Sequence, residues 1–303
     1  MHKRYKLTVV TVTYKTNPDE LKKCIDSYNL YNDLGEESKL IVVDNSPEEY
    51  RIVEEVVDKY ENVDYIPNPA NTGFGAANNI GAAAVESDYI LFFNNDTELV
   101  EPVFQPIIKY FEENEKLGCV GIKQAGGGIS YFLRSECSVL YPSAEIKEVK
   151  KNNQYTEKYH FLSGSFLFFT REAFEKAGKF DENIFMYCEE VDILNRLHQS
   201  GYTSAHLPNL QFIHRVENRK KIREYNFSKA NINSRDNGIN SFYYYVSKYD
   251  LPNKEQFLRS RTKKWRKRQL YFLLHLNLRE VARFQQIIAF ERTVFDRYFK
   301  NER

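Results

Sequence analysis

No stretch of this 303-residue chain approaches the roughly 18 consecutive uncharged apolar residues of a transmembrane helix, so none of it is expected to cross a membrane. Cysteine is sparse: Cys24, Cys119, Cys137 and Cys188 lie far apart, with no CxxC pair and no histidine at zinc-site spacing. A reduced, cytoplasmic setting is the simplest reading. There is also no charge excess, because 43 Lys and Arg nearly cancel 42 Asp and Glu to leave net +1, which gives no sign of a nucleic-acid partner. Internal repeats and low-complexity tracts are missing as well. The basic start, Met1 to Lys6, leads into the apolar Leu7 to Tyr14, but that run is short, holds three threonines, has no small-residue cleavage pattern and ends at Lys15. It is expected to be a first β-strand and not a signal peptide.

What is present is ample material for a core. Hydrophobic residues make up 42% and aromatics 15%, which excludes a disordered chain, and the length allows one large α/β domain with an appendage or two domains. Short apolar runs at Leu7–Thr13, Leu40–Val43, Val63–Ile66, Tyr89–Phe93 and Cys119–Ile122 alternate with helical patterns at Pro18–Tyr31, Glu48–Tyr60, Phe74–Val85 and Pro102–Asn114. Strand and helix in repetition predict an α/β fold with a doubly wound, mostly parallel sheet. Ligands of such sheets lie beyond the carboxyl ends of the strands. After an irregular, polar excursion from Gly126 to Tyr159, an aromatic strand is expected at Phe161–Thr170, then helices at Arg171–Ala177 and Tyr187–Gln199. Beyond His214 the pattern is helical and basic.

Three strand ends carry hydrogen-bonding side chains where the apolar run stops: Thr11-Val12-Thr13-Tyr14, Val42-Val43-Asp44-Asn45-Ser46 and Phe92-Phe93-Asn94-Asn95-Asp96-Thr97. At any single strand these residues could simply cap turns and helices, but three coinciding ends favour a site. Gly73 and Gly75, in Asn71-Thr72-Gly73-Phe74-Gly75, superficially suggest a dinucleotide fingerprint. The third glycine position holds Asn78 and the segment does not follow the first strand, which argues against a Rossmann dehydrogenase. Its small residues would still let backbone approach a ligand, with N–H groups at a helix start open to an anion.

The ordered blocks TVTYK, VVDNS, NTGFGAANNIG, YILFFNNDTEL, FLSGSFLFFTREAFEKAGKFDENIFMYCEEVDILNRLHQSGY and FIHR, which cover most of Leu7 to Arg215, resemble inverting glycosyltransferases of family two with the GT-A fold, in particular their rhamnosyltransferase-like branch. The resemblance implies a GT-A catalytic domain over residues 1–215, with a nucleotide-sugar half over roughly 1–122 and an acceptor half over roughly 123–215, and a basic helical extension over 216–303. It implies that Thr13, Tyr14 and Asp44 line the pocket for the donor's base and ribose, and that Asn71, Gly73 and Gly75 form a loop beneath the nucleotide. Asn94-Asn95-Asp96 takes the place of the family's DxD motif. Asn95 and Asp96 would then contact the donor, while Asp96 with His214 would hold Mg²⁺ or Mn²⁺. Only one carboxylate of that motif remains, so tight unassisted metal binding is not expected.

Glycosyl transfer also needs a carboxylate to take the acceptor hydroxyl's proton. Glu190 occupies the family's base position in Glu189-Glu190-Val191-Asp192, where Asp is usual, and Asp192 is the alternative base. An acidic helix start could equally serve the helix dipole alone. Asp181 falls in a loop that lies near the acceptor in relatives. From Leu251 to Arg303, 14 basic residues face 5 acidic ones, net +9, which leaves −8 for residues 1 to 250. Arg259 to Arg268 holds seven cations and no acid, followed by apolar residues at near-helical spacing from Leu270 to Phe299. The segment is expected to lie on an anionic membrane as an amphipathic helix; the alternatives are packing against the catalytic domain or a second subunit of a homodimer, and, least favoured, nucleic acid. Phe242 to Tyr245 reads as helix packing sooner than as an acceptor platform.

The expected activity is inverting transfer of a sugar from a nucleotide-diphosphate donor, dTDP-rhamnose before a UDP-hexose, to a glycan or lipid-linked glycan at the inner face of the cell membrane. A catalytically silent nucleotide-sugar or glycan-binding module is the alternative, motivated by the thinned metal motif and by Glu at the base position.

Overall fold

A computed structural model describes residues 3–134, 137–215, 229–249 and 254–299. The expected boundary between catalytic domain and extension, at 215/216, adjoins residues 216–228, which lie outside the described residues. The chain forms two compact units: one of residues 1–134, 154–185 and 189–223, the other of 135–153, 186–188 and 224–303.

The first unit is built on an eight-stranded sheet. In chain order its elements are β1 (Tyr5–Thr13), α1 (Pro18–Tyr31), β2 (Ser38–Asp44), α2 (Glu54–Val57), β3 (Val63–Pro67), α3 (Phe74–Ala83), β4 (Ser87–Phe93), β5 (Thr97–Leu99), α4 (Phe104–Glu112) and β6 (Leu117–Gln124). The chain continues through β7 (Tyr131–Leu133), the helices α5 (Cys137–Leu140) and α6 (Ser143–Asn152) of the second unit, β8 (His160–Leu162), β9 (Phe166–Thr170), α7 (Arg171–Lys176), α8 (Glu189–Gln199) and β10 (Thr203–His214). The strand order is β3-β2-β1-β4-β9-β6-β10-β5, while β7 and β8 pair separately. The β3-β2-β1-β4 half is wholly parallel, β6 and β10 are parallel, and β9 and β5 run against their neighbours.

Side chains alternate along each strand and so divide the core into two layers. Leu7, Val9, Leu40, Val42, Leu91 and Phe168 face the layer that receives α1 and α4. Val10, Ile41, Val43, Phe92 and Phe169 face the opposite layer, with Phe174 of α7 and Leu194 and Leu197 of α8. Local signals set the helix starts: Asn17 Oδ1 accepts from Asp19 N at 3.0 Å with Pro18 beginning α1, and Thr170 Oγ1 accepts from Ala173 N at 3.2 Å to begin α7.

Three expected elements are interrupted. Glu48–Tyr60 is not one helix but a 3₁₀ turn at Glu48–Tyr50 followed by the short α2, because Arg51 between them adopts φ −80°, ψ 46°, outside the helical region. Phe161–Thr170 divides into β8 and β9 around Ser163-Gly164-Ser165. The helix expected from Tyr187 begins at Glu189, since Tyr187 and Cys188 both have φ near +70°, which a right-handed helix excludes.

The second unit contains α9 (Lys229–Lys248), α10 (Lys254–Leu274) and α11 (Leu278–Phe299). Phe242, Tyr243 and Tyr245 are buried in α9, as packing residues. Ser241 Oγ donates to the Met186 carbonyl at 2.8 Å, tying residues 186–188 to α9. Helices α10 and α11 form an antiparallel hairpin held by a fully buried carboxylate. Glu291 accepts from Arg261 Nε at 2.7 Å and from Trp265 Nε1 at 3.0 Å.

Candidate functional site

The strand ends singled out in the sequence meet at one edge of the sheet. Register places Thr13 beside Asp44, and Asn45 N donates to Thr13 O at 2.9 Å. Asp44 is fully buried, its two oxygens accepting from Ser46 N (3.0 Å) and the Tyr65 hydroxyl (2.9 Å). Hydrogen bonding to Asp44, after desolvation, helps push the Tyr65 phenol well above its ordinary range. Thr13 is also buried, whereas Tyr14 is 47% exposed at the lip of this edge. Beside it Lys15, held at φ 51° with its N–H on Ser46 Oγ (2.7 Å), extends its ammonium over the Tyr50 ring at 3.8 Å. Sequence reading missed Lys15, Tyr50 and Tyr65, since two of them belong to the lip only through tertiary contact; a lysine directly after the first strand was the available signal.

The loop before α3 is an asparagine network. Asn68 Nδ2 donates to Asn45 Oδ1 (2.8 Å) and Thr72 Oγ1 (3.0 Å), Asn45 Nδ2 donates to Gly73 O (3.1 Å), and Asn71 Oδ1 accepts from Gly73 N (3.1 Å). Gly73 and Gly75 also answer a packing need within the chain. A Cβ on Gly73, which sits at φ +90°, would lie 2.3 Å from the Phe185 carbonyl oxygen, and one on Gly75 would lie 3.0 Å from Phe180 Cβ. The close approach is therefore to the protein's own 180–185 segment. Likewise Phe74 N, the first N–H of α3 and a candidate anion donor, is occupied by Phe185 O at 2.9 Å. Asn79, also missed, clamps the same segment by exchanging hydrogen bonds with Phe180 N (3.1 Å) and O (2.9 Å).

At the end of β4, Asn95 Nδ2 donates to Val12 O (2.7 Å) and Thr16 Oγ1 (3.0 Å), so its amide nitrogen braces the loop against β1. Asp96 is half-buried and its Oδ1 lies 3.1 Å from His214 Nε2, because antiparallel pairing sets His214 across from Thr97. Arg215 N donates to Asp96 O at 2.9 Å, which fixes the backbone as well. Among the described residues no group of three or more His, Cys, Asp or Glu side chains converges as a metal cage. Asp96 and His214 supply an oxygen and an imidazole nitrogen from adjacent strands, a pair that suits a divalent cation whose remaining positions are filled by phosphate oxygens and water.

The acidic helix start joins this edge through Ser163-Gly164-Ser165. Asn94 N donates to Ser165 O at 3.2 Å, and Gly164 lies against Glu190, within 3.7 Å of Glu190 Cβ from the position a Cβ would take. The strip thus links the Asp96 loop to Glu190. Glu190 is half-buried, and desolvation raises its carboxyl to about 7. Glu189 is buried, with Oε2 unpartnered, and burial followed by the neighbouring Glu190 pushes its carboxyl well up. Asp192 is fully buried and ion-paired with Arg196 at 2.7 Å. A carboxylate with no accessible surface cannot receive an alcohol proton, so of the two candidate bases the geometry favours Glu190. Asp181 Oδ1 closes an Asx turn onto Asn183 N (3.0 Å), shaping the loop that backs Gly75.

Comparison with known proteins identifies the family and the fold. Over 235 residues the chain is 26% identical to an N-acetylglucosaminyl-diphospho-decaprenol L-rhamnosyltransferase of Mycobacterium tuberculosis, covering 69% of this chain and 75% of the relative. It is 27% identical to rhamnosyltransferase WbbL of Escherichia coli, covering 69% and 83% respectively. The fold is similar to that of the mannosyltransferase PcManGT from Pyrobaculum calidifontis, solved in complex with GDP-Man and Mn²⁺: TM-score 0.56, 14% identity, 83% of this chain and 67% of that one. Residues 8–178 match the family described as glycosyl transferase family 2. With that match spanning more than half of the sequence, the chain belongs to glycosyl transferase family 2, on its rhamnosyltransferase-like branch.

Proposed function

We propose that this glycosyltransferase moves rhamnose from dTDP-rhamnose, ahead of a UDP-hexose, to a hydroxyl of a lipid-linked surface glycan, with inversion at the anomeric carbon. The observation that carries the reading is Glu190: a carboxyl raised to about 7, half-buried, and joined by Ser163-Gly164-Ser165 to the loop of Asp96. Such a group is ionised enough at neutral pH to act as a base and basic enough to hold a proton.

Glu190 accepts the proton of the acceptor hydroxyl as that oxygen bonds to the anomeric carbon. The bond from that carbon to the diphosphate oxygen breaks, and its electron pair leaves with the nucleotide. Displacement from the face opposite the leaving group inverts the centre, and one base suffices. Asp96 and His214 would hold Mg²⁺ or Mn²⁺, whose chemistry is to neutralise charge on the departing diphosphate. Tyr14 offers an exposed ring for the base, and Lys15 places a cation at the same lip. The acceptor class rests on the diphospho-lipid named for the mycobacterial relative and on the basic second unit.

The test is to incubate the purified chain with dTDP-rhamnose or UDP-hexoses, a short-chain lipid diphosphate N-acetylglucosamine acceptor, and Mn²⁺. Nuclear magnetic resonance of the product should show inverted anomeric configuration. Donor binding without turnover, across acceptors and metals, would favour a silent nucleotide-sugar binding module instead.

A further inference from the structure

The hairpin of α10 and α11 ends in an apolar tip. Leu270, Tyr271, Leu273, Leu274, Leu276 and Leu278 are all exposed, Leu276 by 85% and Leu274 by 74%. They lie within nine residues, at the end of α10, in the turn and at the start of α11. Of the apolar residues expected at helical spacing from Leu270 to Phe299, the exposed ones are thus gathered at one end, while Phe284, Ile287 and Val294 are buried. The break is local: Leu276 adopts φ 54°, and Asn277 Oδ1 caps α11 through Glu280 N at 3.2 Å.

Immediately behind the tip stand Lys263, Lys264, Arg266, Lys267 and Arg268, all exposed. At 100° per residue these five positions fall within one arc of about 200° on the outward side of the helix, opposite Trp265, which turns inward to Phe284 and Glu291. Grouped within about 8 Å of helix rise directly behind the exposed leucines, this half-collar of cations suits a hairpin entering tip-first, with the collar at the headgroups. At about 1.5 Å per residue, Leu274 lies about 9 Å beyond Arg268, which matches the roughly 5–10 Å depth of interfacial burial. Insertion would strand no amide of the turn. His275 N, Leu276 N and Asn277 N donate to Tyr271 O (3.2 Å), Leu273 O (3.1 Å) and Phe272 O (2.9 Å). Phe272 stacked on Phe284 at 5.7 Å stiffens the hairpin just behind its end.

We infer that this hairpin is a membrane-anchoring wedge: its leucine tip enters the acyl boundary of an anionic bilayer while the collar pairs with lipid phosphates. The inference goes beyond the proposed reaction and is independent of which sugar is moved.

The test uses the full chain and flotation with vesicles of phosphatidylglycerol and phosphatidylcholine in equal parts, against phosphatidylcholine alone. The parent should float with the anionic vesicles and less so as salt rises. Combined Leu274→Ser, Leu276→Ser and Leu278→Ser should lower partitioning by at least about tenfold, with unchanged melting and unchanged dTDP-induced thermal shift in solution. That shift reads the donor site separately, so failure of the anchor and failure of the transferase reading are distinguishable. A Leu276→Trp variant should gain emission that acyl-brominated lipid quenches. The inference is overturned if the parent stays unbound at low salt, if the serine variant floats like the parent, or if the tip changes alter only the mass of the free protein, which would make it a contact between copies.

Discussion

Glu190 and Glu189 are adjacent carboxyls with opposite prospects. Glu190 keeps access to solvent and can exchange a proton with an alcohol, whereas Glu189 is buried with one oxygen unpartnered. Glu190→Gln is expected to lower transfer by about 10²–10⁴-fold while leaving nucleotide affinity nearly unchanged, measured by product formation and by calorimetric titration with dTDP. A base must be ionised to work, so kcat/KM of the parent should rise as pH increases through about 7 and then level off. Transfer near the parental rate in the Gln variant would remove Glu190 from the mechanism. Glu189 gives a separate signature in stability. A carboxyl whose folded pKa is raised contributes stability that is complete below its unfolded value and is lost as pH rises through the folded one. Glu189, raised by burial and then by its neighbour Glu190, should therefore cost the parent stability as pH rises above the ordinary carboxylate range, and Glu189→Gln should lessen that loss, read as melting temperature against pH.

Elements owe their placement here to contacts that sequence reveals unevenly. Gly73 at φ +90°, with the Phe185 carbonyl where a Cβ would go, leaves no room for alanine. Gly73→Ala should cost about 3 kcal/mol or more, from positive-φ strain and overpacking together, and should shift amide signals of residues 180–185 as well as those of the loop; a neutral substitution would refute the close approach. In the second unit, Glu291→Ala should destabilise the hairpin by about 3–5 kcal/mol by leaving Arg261 without its buried partner, read from chemical denaturation. The strands, α1 and the gathering of polar residues at strand ends were legible because short apolar runs that stop at polar residues and a capping Asn-Pro are local signals. What was not legible is non-local. The glycines' neighbours come from residues about 110 positions away, Asp44 is covered by Tyr65, and a single φ at Leu276 turns a presumed surface stripe into a hairpin end.

The whole molecule divides into two compact units, with Asp96, His214 and Glu190 in the sheet unit and the cations from Lys263 to Arg268 in the helical one. A ligand stabilises the unit that binds it by RT ln(1 + [L]/Kd), about 2.7 kcal/mol at a hundredfold excess over Kd. Calorimetric unfolding of the full chain in dTDP with Mn²⁺ should therefore raise the transition of the sheet unit and leave that of the helical unit in place. Chelation with EDTA, or Asp96→Ala, should abolish most of that rise, because the single carboxylate beside His214 gives the cation few protein ligands and makes nucleotide and metal bind together. The two ligands should show this dependence reciprocally, Mn²⁺ alone producing little shift. An undiminished dTDP response in EDTA would mean that fixed protein groups at the lip, Lys15 foremost, balance the diphosphate charge, and would move the electrostatic burden of leaving-group departure from Asp96 to the first strand's end.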